Sequence, residues 1–303
     1  MDSNLETVSA IITTHNRCHL LQKAIQSVLA QTYICKDLII VDDNSTDETA
    51  EYLQELVKTE SAISYIHIDA GESKGGNYAR NRGVLAAQGD YIAFLDDDDE
   101  WMPQKIEKQM KIFQNDPDVG LVYCGGYREF DFGEKKIIPV NKEFTGDISE
   151  ICFKGIFCTT SSIMVRKSLM YDSGMFDEKL KFWQEYDLII RLAKITKVVA
   201  VDEPLYLLRE ISSDPSRLTN KLDGWMEAVR YIEKKYRDRI DKLPIEINLN
   251  REATICYDGI MRCKKAGNRV KEQEFKIRKK EILFQLWKLK KTPKYLAKYI
   301  LNH

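Results

Sequence analysis

Asp90-Tyr-Ile-Ala-Phe-Leu-Asp-Asp-Asp-Asp99 decides how this chain folds. Tyr91, Ile92, Ala93, Phe94 and Leu95 run without polar alternation, the pattern of a strand covered on both faces within a parallel sheet. Four carboxylates, Asp96 to Asp99, then follow at the strand's end. Open α/β sheets bind ligands beyond the carboxyl ends of their strands. Adjacent acids repel one another unless a cation sits among them, and hard divalent ions prefer carboxylate oxygens. The run therefore reads either as a Mg²⁺ or Mn²⁺ site for a phosphate-bearing substrate or as a solvated acidic turn.

The stretch upstream repeats the same architecture. Val8-Ser-Ala-Ile-Ile12 predicts a first strand, followed by the polar turn Thr13-Thr-His-Asn-Arg17. Leu20, Leu21, Ala24, Ile25, Val28 and Leu29 then recur at helical spacing. Leu38-Ile-Ile-Val41 predicts a second strand that ends in Asp42-Asp-Asn-Ser-Thr-Asp-Glu48. Ser45 and Glu48 have capping-box spacing, which puts the next helix start at Ser45. Ile63 to Ile68 predicts a third strand, and Gly75 to Gly83 leads into a helix ending near Gly89. Strands alternating with helices specify a doubly wound, Rossmann-like parallel sheet whose polar turns gather along one edge. Val119 to Cys124 and Ser161 to Arg166 predict further strands in mixed pairing, and residues 128–160 show no periodicity.

Four stretches, Ile11 to Arg17, Val41 to Asp47, Ala79 to Gly83 and Phe94 to Trp101, resemble in order and spacing the signatures of family 2 glycosyltransferases. The resemblance covers roughly residues 8–210 and implies the GT-A fold, with a nucleotide-diphosphate sugar as donor. It implies that Thr13 and His15 line the nucleotide base, His15 standing where the family often has Tyr. It implies that Asp43 binds the base, Asp42 orienting the turn instead, and a carboxylate suits the N3–H of uracil as acceptor. Lys74 and Arg80 match cations near the nucleotide; Arg can grip phosphate with two parallel bonds. The acidic run resembles the family's DxD motif, with Asp96 and Asp98 in the Asp-x-Asp positions, Asp98 as direct metal ligand and Asp97 facing the sugar or ribose. The metal, Mn²⁺ or Mg²⁺, would stabilise the departing diphosphate.

An inverting transferase also needs a base for the acceptor hydroxyl. Phe182-Trp-Gln-Glu-Tyr-Asp-Leu-Ile-Ile-Arg-Leu192 resembles the family's acidic pair and following helix, with Gln184 in place of the first acid. The resemblance makes Glu185 the base and Asp187 the alternative, although Asp187 also stands one helical turn from Arg191, where it could serve as a tether. Pro204 to Leu218 matches a late active-site loop in which many members carry a His. None is present, so Arg209, Ser213 or Arg217 would substitute. Trp101 reads as core, and Pro103 as the first turn of the next helix.

Composition bounds the rest. A chain of 303 residues has room for one catalytic domain and an appendage; the resemblance implies a GT-A catalytic domain over residues 1–218, with a nucleotide-sugar half to about residue 102 and an acceptor half from 103. Residues 219–303 form a helical, basic extension. A net charge of −1 excludes a grossly basic nucleic-acid binder. Seven cysteines without a CxxC pair point to reduced thiols and a cytoplasmic site, and the acidic start Met1 to Thr7 lacks signal-peptide character. No apolar run approaches a membrane span, which favours single-sugar addition over polymerisation. From Arg262 to Lys298 there are fourteen Lys or Arg and three Glu (Glu272, Glu274, Glu281), interleaved with Leu283, Phe284, Leu286 and Trp287. Residues 262–303 therefore read either as peripheral contact with an anionic membrane or as a packed hairpin or homodimer surface. The expected substrates are a UDP-sugar and a saccharide acceptor, lipid-linked, as in capsule, O-antigen or exopolysaccharide synthesis. A sugar-nucleotide nucleotidyltransferase would show a Gly-rich loop after the first strand, which Thr13 to Arg17 lacks. A non-catalytic scaffold on the same fold is the alternative.

Overall fold

The computed structural model describes residues 6–210 and 222–292. Two compact units divide the chain, one built from residues 1–148, 157–179 and 187–213, the other from 149–156, 180–186 and 214–303.

The first unit carries a mixed sheet whose order is β3-β2-β1-β4-β8-β6-β9-β5. These are β1 (Val8–Thr14), β2 (Asp37–Asp42), β3 (Ile63–His67), β4 (Tyr91–Asp96), β5 (Glu100–Trp101), β6 (Val119–Phe130), β8 (Met164–Arg166) and β9 (Lys197–Glu210), with β7 (Lys135–Ile138) paired to β6. β3, β2, β1 and β4 run parallel, and β8 joins β4 antiparallel, which makes the sheet mixed. Helices α1 (Cys18–Leu29), α2 (Thr49–Thr59), α3 (Gly76–Ala86) and α4 (Lys105–Asn115) connect the strands. The core includes Ala10, Ile12, Leu38, Ile40, Tyr91, Ala93 and Leu95 from the strands and Leu21, Ile25 and Met110 from the helices. Burial on both faces is why these strands lack alternation.

Local details differ from the sequence expectation. The α2 helix starts at Thr49, not Ser45, because the Ser45 hydroxyl accepts the Asn16 N–H and its own N–H donates to Asp42. Pro103 lies ahead of α4, whose first residue is Lys105. Thr160–Ser162 is a 3-10 turn, so β8 is only three residues long. Within the expected aperiodic stretch, β6 continues to Phe130 and pairs with β7.

The second unit includes α7 (Leu222–Lys235), α8 (Arg237–Ile240), α9 (Ile245–Lys265) and α10 (Arg269–Lys290). Leu249, Cys256, Ile282 and Leu286 form the core of an α9–α10 hairpin, with Phe275 packed against it. Gly259 permits that approach: a Cβ there would lie 2.8 Å from the Phe275 ring. Ile282, Leu283 and Leu286 are thus buried within the hairpin, and the exposed side of α10 mixes Val270 and Ile277 with Glu274 and Glu281. Among the described residues no helix is long and apolar enough to cross a membrane. All seven cysteines are free.

Candidate active site

Sheet register gathers the strand-end residues. Thr13 of β1 stands between Val41 of β2 and Asp96 of β4, and the Asp43 N–H donates to Thr14 O at 2.9 Å. His15 Nδ1 lies 2.7 Å from the Asp43 carbonyl oxygen, and its Nε2 lies 3.1 Å from Asn16 Nδ2. Nδ1 therefore carries the proton and donates to that carbonyl, leaving Nε2 to accept from the amide. Asn16 (φ 55°) tolerates the left-handed backbone that bulkier residues avoid, and its Oδ1 accepts the Thr46 N–H at 2.6 Å. The turns after β1 and β2 are thereby laced together, with the His15 ring exposed.

The two acids of the β2 turn have separate jobs. Asp42 is fully buried and accepts from Ser45 N–H, the Tyr65 hydroxyl and His67 Nδ1, so it shapes the turn. Asp43 is buried as well, yet its Oδ1 has no hydrogen-bond partner. Such an orphan costs on the order of 1–3 kcal/mol unless a ligand donates to it.

Within the acidic run the carboxylates alternate. Asp97 and Asp99 are buried, whereas the Asp96 and Asp98 side chains are 33% and 19% exposed. Arg17 Nη1 donates to Asp97 at 3.1 Å and to Asp98 at 3.3 Å. Burial pushes the Asp97 carboxyl up to about 6 against the pull of Arg17. Asp99 accepts from the Ser161 hydroxyl at 2.6 Å and from the Arg209 N–H; burial, and then the charges of Asp98 and Asp96, hold it well above the usual carboxylate range. Asp97, expected to face sugar or ribose, is buried and shares Arg17 with Asp98, and Asp99 is held by Ser161 and the Arg209 backbone.

The stretch Ala79 to Gly83 on α3 serves several contacts. Arg80 is buried and donates to Asp96 at 2.6 Å, with its guanidinium 5.6 Å from the Phe176 ring. Asn77 and Asn81, four residues apart, hold the backbone of Asp177 and Phe176. Gly83 presses on β1, where a Cβ would meet Ile11 at 2.5 Å. Lys74 is exposed, its ammonium 4.8 Å from the Tyr78 ring. Arg209 donates to Glu129 and Glu100; Ser213 and Arg217 lie outside the described residues. Trp101 is buried and donates to Ser161 O.

Among the described residues no three His, Cys, Asp or Glu side chains converge as a metal cage. Mg²⁺-like ions in phosphate sites take one or two carboxylates and complete their shell with substrate oxygens. Asp96 and Asp98 fit that description by their exposure and hard donor chemistry.

In the second unit Glu185 occupies the start of α6 (Gln184–Leu192), half-buried between the buried Trp183 and Tyr186. Asp187, farther along α6, is fully buried and bonded to Arg191 Nε and Nη2 at 3.0 and 2.8 Å. The role of Arg17 was not read from the sequence, though it is the one cation in the turn after β1. The roles of Asn77, Asn81 and Ser161 depend on partners more than 60 residues away and left no local signal.

Residues 9–173, more than half the chain, match the profile of glycosyl transferase family 2. The chain belongs to this family. An uncharacterized glycosyltransferase of Nostoc sp. is 28% identical over 67% of this chain and 64% of its own length. The putative teichuronic acid biosynthesis glycosyltransferase TuaG of Bacillus subtilis is 39% identical over 34% of this chain and 40% of its own. The matches thus span less than two thirds of these relatives. Among solved structures, residues 1–349 of S. aureus TarS with UDP-GlcNAc superpose at a TM-score of 0.59, with 16% identity over 92% of this chain and 80% of that one. Mannosyltransferase PcManGT of Pyrobaculum calidifontis, with GDP-Man and Mn²⁺, gives 0.56 with 13% identity over 98% and 84%. The GT-A fold of this family 2 chain follows from the sheet order and these neighbours.

Proposed function

We propose that the protein is an inverting, metal-dependent glycosyltransferase (a hexosyltransferase) that moves one sugar from a UDP-sugar to a saccharide acceptor. The orphaned Asp43 Oδ1 supports a nucleotide base that presents an N–H donor. Uracil offers an N3–H donor to such an acceptor, and the His15 ring, held in one tautomer by Asp43 and Asn16, offers a stacking face. Thr13 borders the same strand ends. Lys74 and Arg80 supply positive charge for the diphosphate, Arg80 through its link to Asp96. Asp96 and Asp98 would hold Mn²⁺ or Mg²⁺, which when bound stabilises the negative charge of the leaving diphosphate.

Glu185 is the base in this reading. It removes the acceptor hydroxyl proton while that oxygen bonds to the anomeric carbon and the bond to the diphosphate breaks on the opposite side. Asp187 is committed to Arg191 and serves α6. Residues 1–102 form the donor half, and acceptor recognition falls to residues 103–218. TuaG, named for teichuronic acid biosynthesis, supports a saccharide acceptor, here read as a capsule, O-antigen or exopolysaccharide unit, and TarS with UDP-GlcNAc supports a UDP-sugar donor. A lipid-linked acceptor would bring the enzyme to the inner face of an anionic membrane. Lys288, Leu289 and Lys291, exposed at the end of α10, support contact there rather than along Glu274 and Glu281.

Thermal shift and donor hydrolysis across UDP- and GDP-sugars, with Mn²⁺, Mg²⁺ or EDTA, test the proposal. Metal-dependent stabilisation by one UDP-sugar, with slow release of UDP, is expected. Preference for a GDP-sugar would overturn the UDP-sugar reading, and binding without turnover on any acceptor would favour the scaffold alternative.

A further inference from the structure

Trp183, two residues before Glu185, adopts a left-handed backbone with φ 55°. A bulky aromatic residue pays for this conformation with about 1–3 kcal/mol, so the surroundings must over-determine it. The indole Nε1–H donates to Asp258 Oδ2 on α9 at 3.1 Å. One helical turn later, Arg262 Nε donates to Asp258 Oδ1 at 3.1 Å. The Arg262 guanidinium lies 5.4 Å from both the Phe182 and the Trp225 ring centroids. Trp183 packs edge-on against Trp225 at 5.9 Å and Tyr186 at 5.3 Å. Beyond Glu185, the Tyr186 hydroxyl donates to Phe153 O at 2.9 Å. Both flanks of Glu185 are therefore anchored within the helical unit, while Glu185 itself stays half-buried.

We propose that Asp258 and Arg262 are positioning residues for sugar transfer, holding Trp183 in its left-handed turn and thereby fixing where the Glu185 carboxylate stands. The helical region is then part of the transfer machinery and not an appendage to it. The inference rests on Glu185 being the base. Asp258 is suited to the task because its two oxygens serve two donors at once, the indole and the guanidinium. An amide in its place offers only one acceptor oxygen.

Asp258→Asn and Trp183→Phe, singly and together, test this in the full chain, with kcat and KM measured for transfer and UDP affinity measured separately. Each single variant should lower kcat about tenfold, as expected for a displaced catalytic group. KM for the UDP-sugar and UDP affinity should not change. The double variant should be no worse than either single one, because both act on the same Trp183–Asp258 contact. Asp258→Glu should recover part of the loss. Leu249→Ala, a truncation in the α9–α10 core, should lower thermal stability and leave kcat unchanged. Equal loss of kcat in Leu249→Ala would reduce Asp258 to a structural role and overturn the proposal. An active Glu185→Gln enzyme removes the base reading and the proposal with it. An inactive Glu185→Gln beside wild-type turnover in Asp258→Asn and Trp183→Phe overturns the proposal alone.

Discussion

The ends of β1, β2 and β4 and the start of α6 solve the same problem, holding a carboxylate in place, in different ways. At the strand ends, parallel register and short turns do the work: Asp43 and Asp96 are set by backbone pairing to β1. Around Glu185, no sheet register acts. Phe153, Asp258 and Arg262 reach in from distant sequence to anchor its neighbours. Sites built on strand ends are specified locally, and sites built on a strained turn depend on remote side chains. The two should therefore fail separately when mutated.

The largest separation is expected at Glu185. Glu185→Gln should cut kcat on the order of a hundredfold or more and leave UDP affinity intact. Single-turnover kinetics beside calorimetry of UDP binding would read both. A fully active variant would move the base elsewhere. The reciprocal loss belongs to the strand ends: Asp98→Ala should remove the Mn²⁺-linked part of UDP affinity, and unchanged Mn²⁺ dependence would sink the metal assignment. Asp43→Ala should weaken UDP binding about tenfold or more, a charged hydrogen bond being worth roughly 1.5–3 kcal/mol, without altering turnover at saturation. Parallel losses of kcat in these variants would mean the two regions are not independent.

The same contrast governs what could be read from the sequence. The order of strands and helices through β4, the mixed pairing of β6 and β8, and the clustering of Thr13, Asp43 and Asp96 were legible, because buried strands and polar strand-end turns leave a local pattern. The assignment of individual acids was not. Asp97 and Asp99 look like Asp96 and Asp98 in sequence; burial in the fold separates the two pairs, and Ser161 and the Arg209 backbone hold Asp99. Ser45 looked like a helix cap because its competing partner, Asn16, lies 29 residues earlier. The basic region from Arg262 hid its hairpin, since Ile282 and Leu286 read equally well as a membrane-facing or a core stripe. Trp183 left no signal at all; left-handed geometry shows only in the fold.

Arg17 offers a finer test within the strand-end region. Its guanidinium stands 3.3 Å from Asp98 and opposes an incoming dication. Arg17→Met should raise Mn²⁺ affinity in nucleotide-free protein about tenfold, a shift of the size expected from removing a nearby like charge. Electron paramagnetic resonance of free Mn²⁺ would measure it. No change would mean that metal does not use Asp98.

The smallest effect near neutral pH concerns Lys105, fully buried at the start of α4. Its ammonium lies 4.3 Å from the Trp101 ring centroid and donates to Gln109 Oε1 at 2.8 Å. Burial lowers its pKa to about 8, below its ordinary 10.5. Below pH 8 both folded and unfolded chains carry the proton, and folding bears the full cost of burying the charge. As pH rises through 8 the folded chain releases the proton while the unfolded chain keeps it, so stability grows until the unfolded pKa is passed. The gain is at most about 1.4 kcal/mol per pH unit. Urea titrations of the wild type and Lys105→Met between about pH 7 and pH 10 should show the variant losing ground to the wild type as pH rises. A constant difference would mean that Lys105 keeps its proton in the fold across this range, so that burial does not lower its pKa.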